Sequence, residues 1–507
     1  MSQPRKATKA MPRLMMLGLD AMSLPFIQDN LRALPNLASL LKKGVLRPLQ
    51  SPATFLSASV WPTFSTGAQP GEHGQYFPFQ WAAEHHRYRR IADRRWSKQF
   101  DYPPFWHRIA RAGIPTIAFD VAHTLHDEAA PCLQITNWSY QSTGAANASE
   151  PQVLEELRRR FGRRPIGPEV PVPKSARQCA AIRKQQISAV KAKAEATLYL
   201  MNKPWRLFVT GWYEAHRAGH NLWPVEGDFA SDASPDAMLS VYQETDRQLG
   251  RICAALDQGE AETSLLVFAL HGMEPNTAQD HFLSEILRRL NDVYLGRQPA
   301  RSRSPARLNA MAFLRAIVPA ALQYRAASVL GEAVQDWVVN RSLTAGRAWA
   351  GTPSFPLLSG GEGLIRLNVK GRESAGFFDP GSHELGAYVE WLSERLCAIE
   401  NCATGAPLIK EILHVDQVFP GPRRDFLPDM ILKWSHEGPA HRIRSSEIGE
   451  IEVSLATGRG GNHNDHAFLI AAGSDQFLEA AAQLQSIAEL GAVVEPTLSS
   501  RSARYVA

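Results

Sequence analysis

Residues 14–20 read LMMLGLD, and the reading of the whole chain starts from this run. Leu14–Leu19 is a short stretch with no polar alternation, the form of a parallel strand buried on both faces. It stops at an aspartate. A polar side chain at the C-terminal end of such a strand is where open α/β sheets place their chemistry. The same grammar returns downstream. Leu207–Val209 leads into TGWYEAHRAGHNLWP (210–224), and Ser264–Ala269 leads into His271. Val45–Pro48, Thr116–Phe119, Leu364–Val369 and Ala467–Ala471 read as further strands. Helical spacing lies between them, around Leu34–Leu41, over Phe105–Arg111 up to Gly113, and through Met238–Leu256, where Met238, Val241, Leu249, Ile252 and Leu256 share one face. Strands alternating with helices predict an α/β fold with a mostly parallel central sheet and helices on both faces. Residues 1–12 read as a disordered basic leader and 13–500 as one domain. Helical insertions are expected at about 136–200 and 275–355.

Bulk properties exclude several classes. With 44% hydrophobic and 21% charged residues, the 507-residue chain has ample material for a core and no mark of disorder. A net charge of +5 is too thinly spread to argue for nucleic acid. The basic stretch HHRYRRIADRRW (85–96) reads as a solvated surface loop. Five cysteines with no CxxC pair argue against a disulfide framework and fit a reducing compartment. The N-terminal apolar run is too short for a signal peptide, and no stretch approaches the roughly 20 residues of a membrane span. The expectation is a cytoplasmic protein with neither a membrane nor a nucleic-acid partner.

Chemistry concentrates in five segments. SASVWPTFSTGAQPGEHG (57–74) sets hydroxyls before Thr66-Gly67, then Pro70 and His73-Gly74. GLDAMSLPFI (18–27) contains Asp20. In TGWYEAHRAGHNLWP, His216 and His220 are four apart, so on a helix both imidazoles point the same way, the spacing for a two-point grip on a metal. ALHGM (269–273) contains His271 behind an apolar Leu270. GGNHNDHAFLIAAG (460–473) carries His463 just before an apolar run. Alone, each has a plain alternative: a turn serine, a helix-capping aspartate, structural or loop histidines.

Together these segments resemble the alkaline phosphatase superfamily, in particular its type I phosphodiesterase and nucleotide pyrophosphatase branch. The branch has a nucleophilic Thr or Ser nine positions before its Thr-Gly pair; here that residue is Ser57, with Ser59 its nearest competitor. Trp61 falls where the branch often has Trp. The resemblance covers about 14–135, 205–273 and 360–475, including PNLASLLKKGV (35–45), GLIRLNVKGRESAG (363–376) and PDMILKW (428–434). It implies an alkaline phosphatase-like fold and a small anionic phosphate-ester substrate. A covalent phosphoseryl intermediate on Ser57 and divalent metal are implied too, zinc first and manganese next, as one or two ions. Asp20, Ser57 and His271 would hold one ion, and His216, His220 and His463 the other.

The chain departs from the pattern in three places, the first being Asn462, which stands where the family's late Gly-Asp-His segment has its aspartate. The family's Asp-x-x-x-His is His216-x-x-x-His220 here, so either His216 replaces the carboxylate or Glu214 reaches in. The family's Asp-His-Gly has Leu270 in place of the aspartate. With Asp20 the one carboxylate left, two ions would leave the site strongly positive, unless Glu214 or Asp465 supplies charge. A three-histidine zinc site is expected to be the tighter, since imidazole suits zinc. Two alternatives stay open: a degenerate member that binds an anion or a partner without turnover, and a phosphoryl transferase or sulfatase on the same fold. The sulfatase pattern of Cys or Ser followed by x-P-x-R is absent at Ser57.

Overall fold

The computed structural model describes residues 11–91, 100, 102–125, 127–139, 145–163, 165–167, 174–225, 231–259, 261–297, 340, 349–435, 440–453 and 458–499. Residues 1–10 of the leader expected at 1–12 and most of the insertion expected at 275–355 lie outside them. In chain order, the main sheet contains β1 Arg13–Leu19, β2 Val45–Leu49, β3 Thr116–Phe119, β4 Leu133–Thr136, β5 Asn147–Ala148, β6 Leu207–Trp212, β7 Thr263–Ala269 and β8 Ala467–Ala472. Their order across the sheet is β2-β8-β7-β1-β6-β3-β4-β5. The five strands β7-β1-β6-β3-β4 run parallel, while β8 is antiparallel to β7 and to β2, and β5 is antiparallel to β4.

The LMMLGL run is buried because it lies at the centre of this sheet. Its side chains alternate between two cores. Met15, Leu17 and Leu19 face one, built with the helices Ala176–Met201, Glu214–Leu222 and Ala237–Asp257. Leu14 and Met16 face the other, built with Val60–Thr66, Phe105–Arg111 and Ile487–Val493. Helices on both faces explain why no polar residue interrupts the strand.

The strands predicted at Val45, Thr116, Leu207, Ser264, Leu364 and Ala467 are all present, shifted by no more than three residues at either end. Leu133–Thr136 and Asn147–Ala148 were not foreseen, being short and without a period. The expected insertion at 136–200 contributes the helix Ala176–Met201, whose Val190, Ala194, Ala196 and Leu200 belong to the first core. A second, four-stranded antiparallel sheet joins Ser354–Pro356, Gly363–Leu367, Met430–Trp434 and Ile409–His414. Among the described residues no helix is long and apolar enough to cross a membrane.

Candidate metal centre and the Ser57 turn

Topology brings the expected residues to one edge of the main sheet. Asp20 follows β1, and His271 follows β7 by two residues. Helix Glu214–Leu222, which carries His216 and His220, begins two residues after β6. His463 arrives differently. The ribbon Gly461–Asn464 pairs antiparallel with Gly272–Pro275, setting His463 opposite Met273, and the chain then enters β8. Because β8 runs against β7, its N-terminal end lies at the C-terminal edge of the parallel strands, the ligand-binding edge of such sheets.

Three imidazoles converge closely. His216 Nε2 lies 2.8 Å from both His220 Nε2 and His463 Nε2, and the last two are 3.2 Å apart. Zinc–nitrogen bonds of 2.0–2.1 Å in a tetrahedron put neighbouring nitrogens about 3.3 Å apart. The tautomers fit as well. His220 Nδ1 donates to Gly461 O at 2.9 Å and His216 Nδ1 to Asp20 Oδ2, so both rings turn an Nε2 lone pair inward. Burial, reinforced by neighbouring Arg459 and His216, holds His220 well below the usual histidine range; burial with the surrounding imidazoles does the same to His463. Both are therefore neutral. Two lone pairs fixed in this way face His463 Nε2, and since His463 Nδ1 has no hydrogen-bond partner among the described residues, that ring is free to present its own Nε2 lone pair; the three together fit a divalent metal.

His271 stands at the side of this group, its ligand atom within 4.8 Å of those of His216 and His463. Its Nε2 is 3.3 Å from Asp20 Oδ1. Trp61 Nε1 also donates to that oxygen, at 2.9 Å. Burial alone would raise the Asp20 carboxyl, but the His216 and His271 imidazoles beside it hold it well below the carboxylate range. Two glycines let the indole reach it. A Cβ on Gly18 would meet the Trp61 ring at 2.8 Å, and one on Gly211 would meet it at 2.9 Å.

Ser57 opens the turn that leads into helix Val60–Thr66 and is 4% exposed. Its N–H donates to Glu362 Oε1 at 2.8 Å. Glu362, His463 and Asn462 line one pocket of about 230 Å³ together with Asp465, Glu274, Lys433 and others. The Ser57 turn is thus tied to Asp20 through Trp61 and to the pocket through Glu362. Ser59, the competing serine, faces inward instead: its hydroxyl donates to Gln75 O at 2.9 Å, and it is fully buried.

The remaining candidates lie apart from the imidazoles. Glu214 points to the far side of its helix, where burial, opposed by Lys193, raises its carboxyl to about 7. Asp465 is exposed at the pocket rim and accepts from Thr54 Oγ1. Leu270 is buried in the second core. In the segment 363–376, two basic residues are paired with carboxylates beyond it, Arg372 with Asp429 at 2.7 Å and Lys370 with Asp379 at 3.0 Å. Three residues near the centre escaped the sequence reading: Glu362, Arg459, whose Nη2 is 3.2 Å from His220 Nε2, and His123, near enough to feel the Asp20 charge. For two of them a signal existed, since Glu362 stands in Gly360-Gly361-Glu362-Gly363 and Arg459 in Gly458-Arg459-Gly460-Gly461. Such glycine-rich runs mark tight loops that approach other chain closely.

The type I phosphodiesterase / nucleotide pyrophosphatase family model matches residues 14–338. The chain belongs to this family. It is accordingly a hydrolase of phosphoryl esters, a class whose members are metal-dependent. No curated protein sequence matches it. Among solved structures, the phosphonoacetate hydrolase of Sinorhizobium meliloti 1021 in complex with phosphonoacetate is 13% identical, with 96% of each chain covered and a TM-score of 0.52. The same enzyme with phosphonoformate is 14% identical over the same coverage, with a TM-score of 0.51. Murine ectonucleotide pyrophosphatase / phosphodiesterase 5 is 13% identical over 96% of this chain and 95% of that one, with a TM-score of 0.48. The phosphonoacetate hydrolase likeness establishes the alkaline phosphatase-like α/β fold.

Proposed function

We propose that this family member hydrolyses a small phosphate ester through a phosphoseryl intermediate on Ser57, beside a divalent metal held by His216, His220 and His463. The observation that carries the reading is the triangle of Nε2 atoms at 2.8, 2.8 and 3.2 Å, two of them oriented by Nδ1 hydrogen bonds. Three imidazoles favour zinc. A bound cation would polarise a phosphoryl oxygen and favour the ionised serine. Asp20 fixes the orientation of His216 and so the direction of its lone pair.

Ser57 Oγ forms the new P–O bond as the ester P–O bond breaks, and its proton ends on the departing alcohol. Water then splits the phosphoseryl ester and restores the hydroxyl. Asp20 and His271 remain as the corner for a second, weaker ion, since Leu270 supplies no ligand there. Five unpaired cysteines support a reducing, cytoplasmic setting.

Elemental analysis of purified protein tests the centre, with at least one divalent ion per chain expected, falling to substoichiometric content in His463→Ala. Rapid acid quench with an aryl phosphate ester, mono- or diester, should leave phosphate covalently on Ser57 and none in Ser57→Ala. A metal-free protein, or phosphate on another residue, would sink the proposal.

A further inference from the structure

The structure shows a carboxylate where an anionic substrate has to approach. Glu362 Oε1 accepts from Ser57 N–H and Glu362 Oε2 from Gly360 N–H, both at 2.8 Å. No cation pairs with this carboxylate among the described residues. The loop carrying it lies on the serine itself, since a Cβ on Gly360 would come 2.8 Å from Ser57 Oγ. Three hydrogen bonds hold the loop in this form: Ser359 Oγ to Glu362 O at 2.6 Å, Gly361 N to Ser359 Oγ at 3.2 Å, and Trp434 Nε1 to Gly361 O at 2.8 Å. Gly361 has φ +133, a conformation L side chains rarely adopt, and Gly360 and Gly363 flank it.

We infer that Glu362 is an internal stand-in for the substrate phosphoryl group, which must displace it from the Ser57 and Gly360 N–H groups before Ser57 Oγ can attack the phosphorus. A phosphoryl group within bonding reach of Ser57 Oγ brings its oxygens close to the same residue's N–H. Two negative charges on the same N–H groups repel strongly in a part-buried site, so the two anions exclude each other. The ligand that wins the seat is the more highly charged, a tetrahedral oxyanion rather than a carboxylate. The glycine-flanked loop is the element that moves.

The inference rests on the hydrolase reading, and inorganic phosphate separates the two. Titration calorimetry on the metal-loaded full chain should show phosphate binding at least about tenfold tighter in Glu362→Gln and Glu362→Ala than in wild type, a difference of about 1.4 kcal/mol. With aryl phosphate the same variants should lower KM more than they change kcat. Trp434→Phe, which loosens the loop and keeps the carboxylate, should move phosphate affinity the same way by a smaller factor. Thermal melts confirm that each variant is folded. If Glu362 merely braces the loop, phosphate affinity stays level or falls in folded variants, and the inference is overturned whatever the turnover. If phosphate tightens as expected but no variant or wild type hydrolyses any ester, the anion seat stands and the hydrolase reading of Ser57 falls.

Discussion

At the end of β3, Asp120 accepts from the N–H groups of Trp138 at 2.7 Å and Ser139 at 3.0 Å, and it pairs with Lys193 Nζ at 2.6 Å, both side chains wholly buried. At the end of β1, two strands away, Asp20 accepts from Trp61 and from His216 Nδ1, and no lysine or arginine pairs with it among the described residues. The two aspartates occupy equivalent places in the sheet. The first has its counter-charge within the chain, and the Lys193 ammonium also lies 4.2 Å over the Phe119 ring. The second faces imidazoles that are themselves acceptors at their inner nitrogens. One cluster is closed by the chain; the other is arranged for something brought from outside. The difference teaches that burial of charge at a strand end does not by itself mark a site. What marks it is the number of lone pairs left pointing at one another.

Removing the internal cation tests the closed cluster and has the largest expected effect. Lys193→Met leaves Asp120 buried without its partner and should cost about 3–5 kcal/mol in urea unfolding. The double variant Lys193→Met with Asp120→Asn should recover most of that loss. Metal content per folded molecule should stay at the wild-type value in both. A loss of metal in the folded single variant would mean that the two clusters are one unit, and the contrast would be wrong.

Chelation tests the open cluster. With free zinc at a hundred times its dissociation constant, binding adds about 2.7 kcal/mol to stability, and a chelator removes that increment. His463→Ala should be insensitive to chelator and match the stripped wild type in stability. Lys193→Met should keep the full chelator response on top of its own deficit. Equal stability of wild type with and without chelator would place no metal at the three imidazoles and leave Arg459, already 3.2 Å from His220 Nε2, as the cation that faces them.

The closed cluster was invisible in the sequence, and much of the open one was legible. Asp20, His271 and the pair His216 and His220 follow apolar strands, so strand recognition located them. His463 was legible because Ala467–Ala471 reads as a strand. Glu214 reads as a possible ligand because it lies two residues from His216. Two residues is about 200° of helix, and that rotation carries it to the Lys193 side. Asp120 and Lys193 are 73 residues apart with no periodicity linking them. Glu362 and Arg459 come from loops, where the glycines announce a tight approach but not what is approached. The fold was more legible than the site for a related reason. Buried strands write their burial into consecutive residues, whereas a hydrogen bond such as Ser57 to Glu362 spans 305 positions and leaves no local trace.

A buried histidine beside the Ser57 turn extends the contrast on a smaller scale. His73 is fully buried, with Nδ1 accepting from Gln75 N at 3.0 Å and Nε2 3.1 Å from Thr63 Oγ1. Since Gln75 N–H is the donor at Nδ1, the proton sits on Nε2, and both nitrogens are closed by the chain. Burial, with a smaller push from Arg423, lowers its pKa to about 3. The unfolded value is about 6.5, so the unfolded chain takes up this proton first as pH falls. The contribution is fully present above pH 6.5 and is lost as pH drops toward 3. By pH 5 the loss is about 2 kcal/mol, from 1.5 pH units at 1.36 kcal/mol each. Urea midpoints at pH 7 and pH 5 in the presence of chelator, which silences the metal-linked imidazoles' exchange with zinc, should fall more steeply for wild type than for His73→Gln, which takes no proton. Matching slopes would mean that His73 is not held neutral, and the distinction between histidines closed by the chain and histidines turned toward a ligand would have to be redrawn around the Ser57 turn.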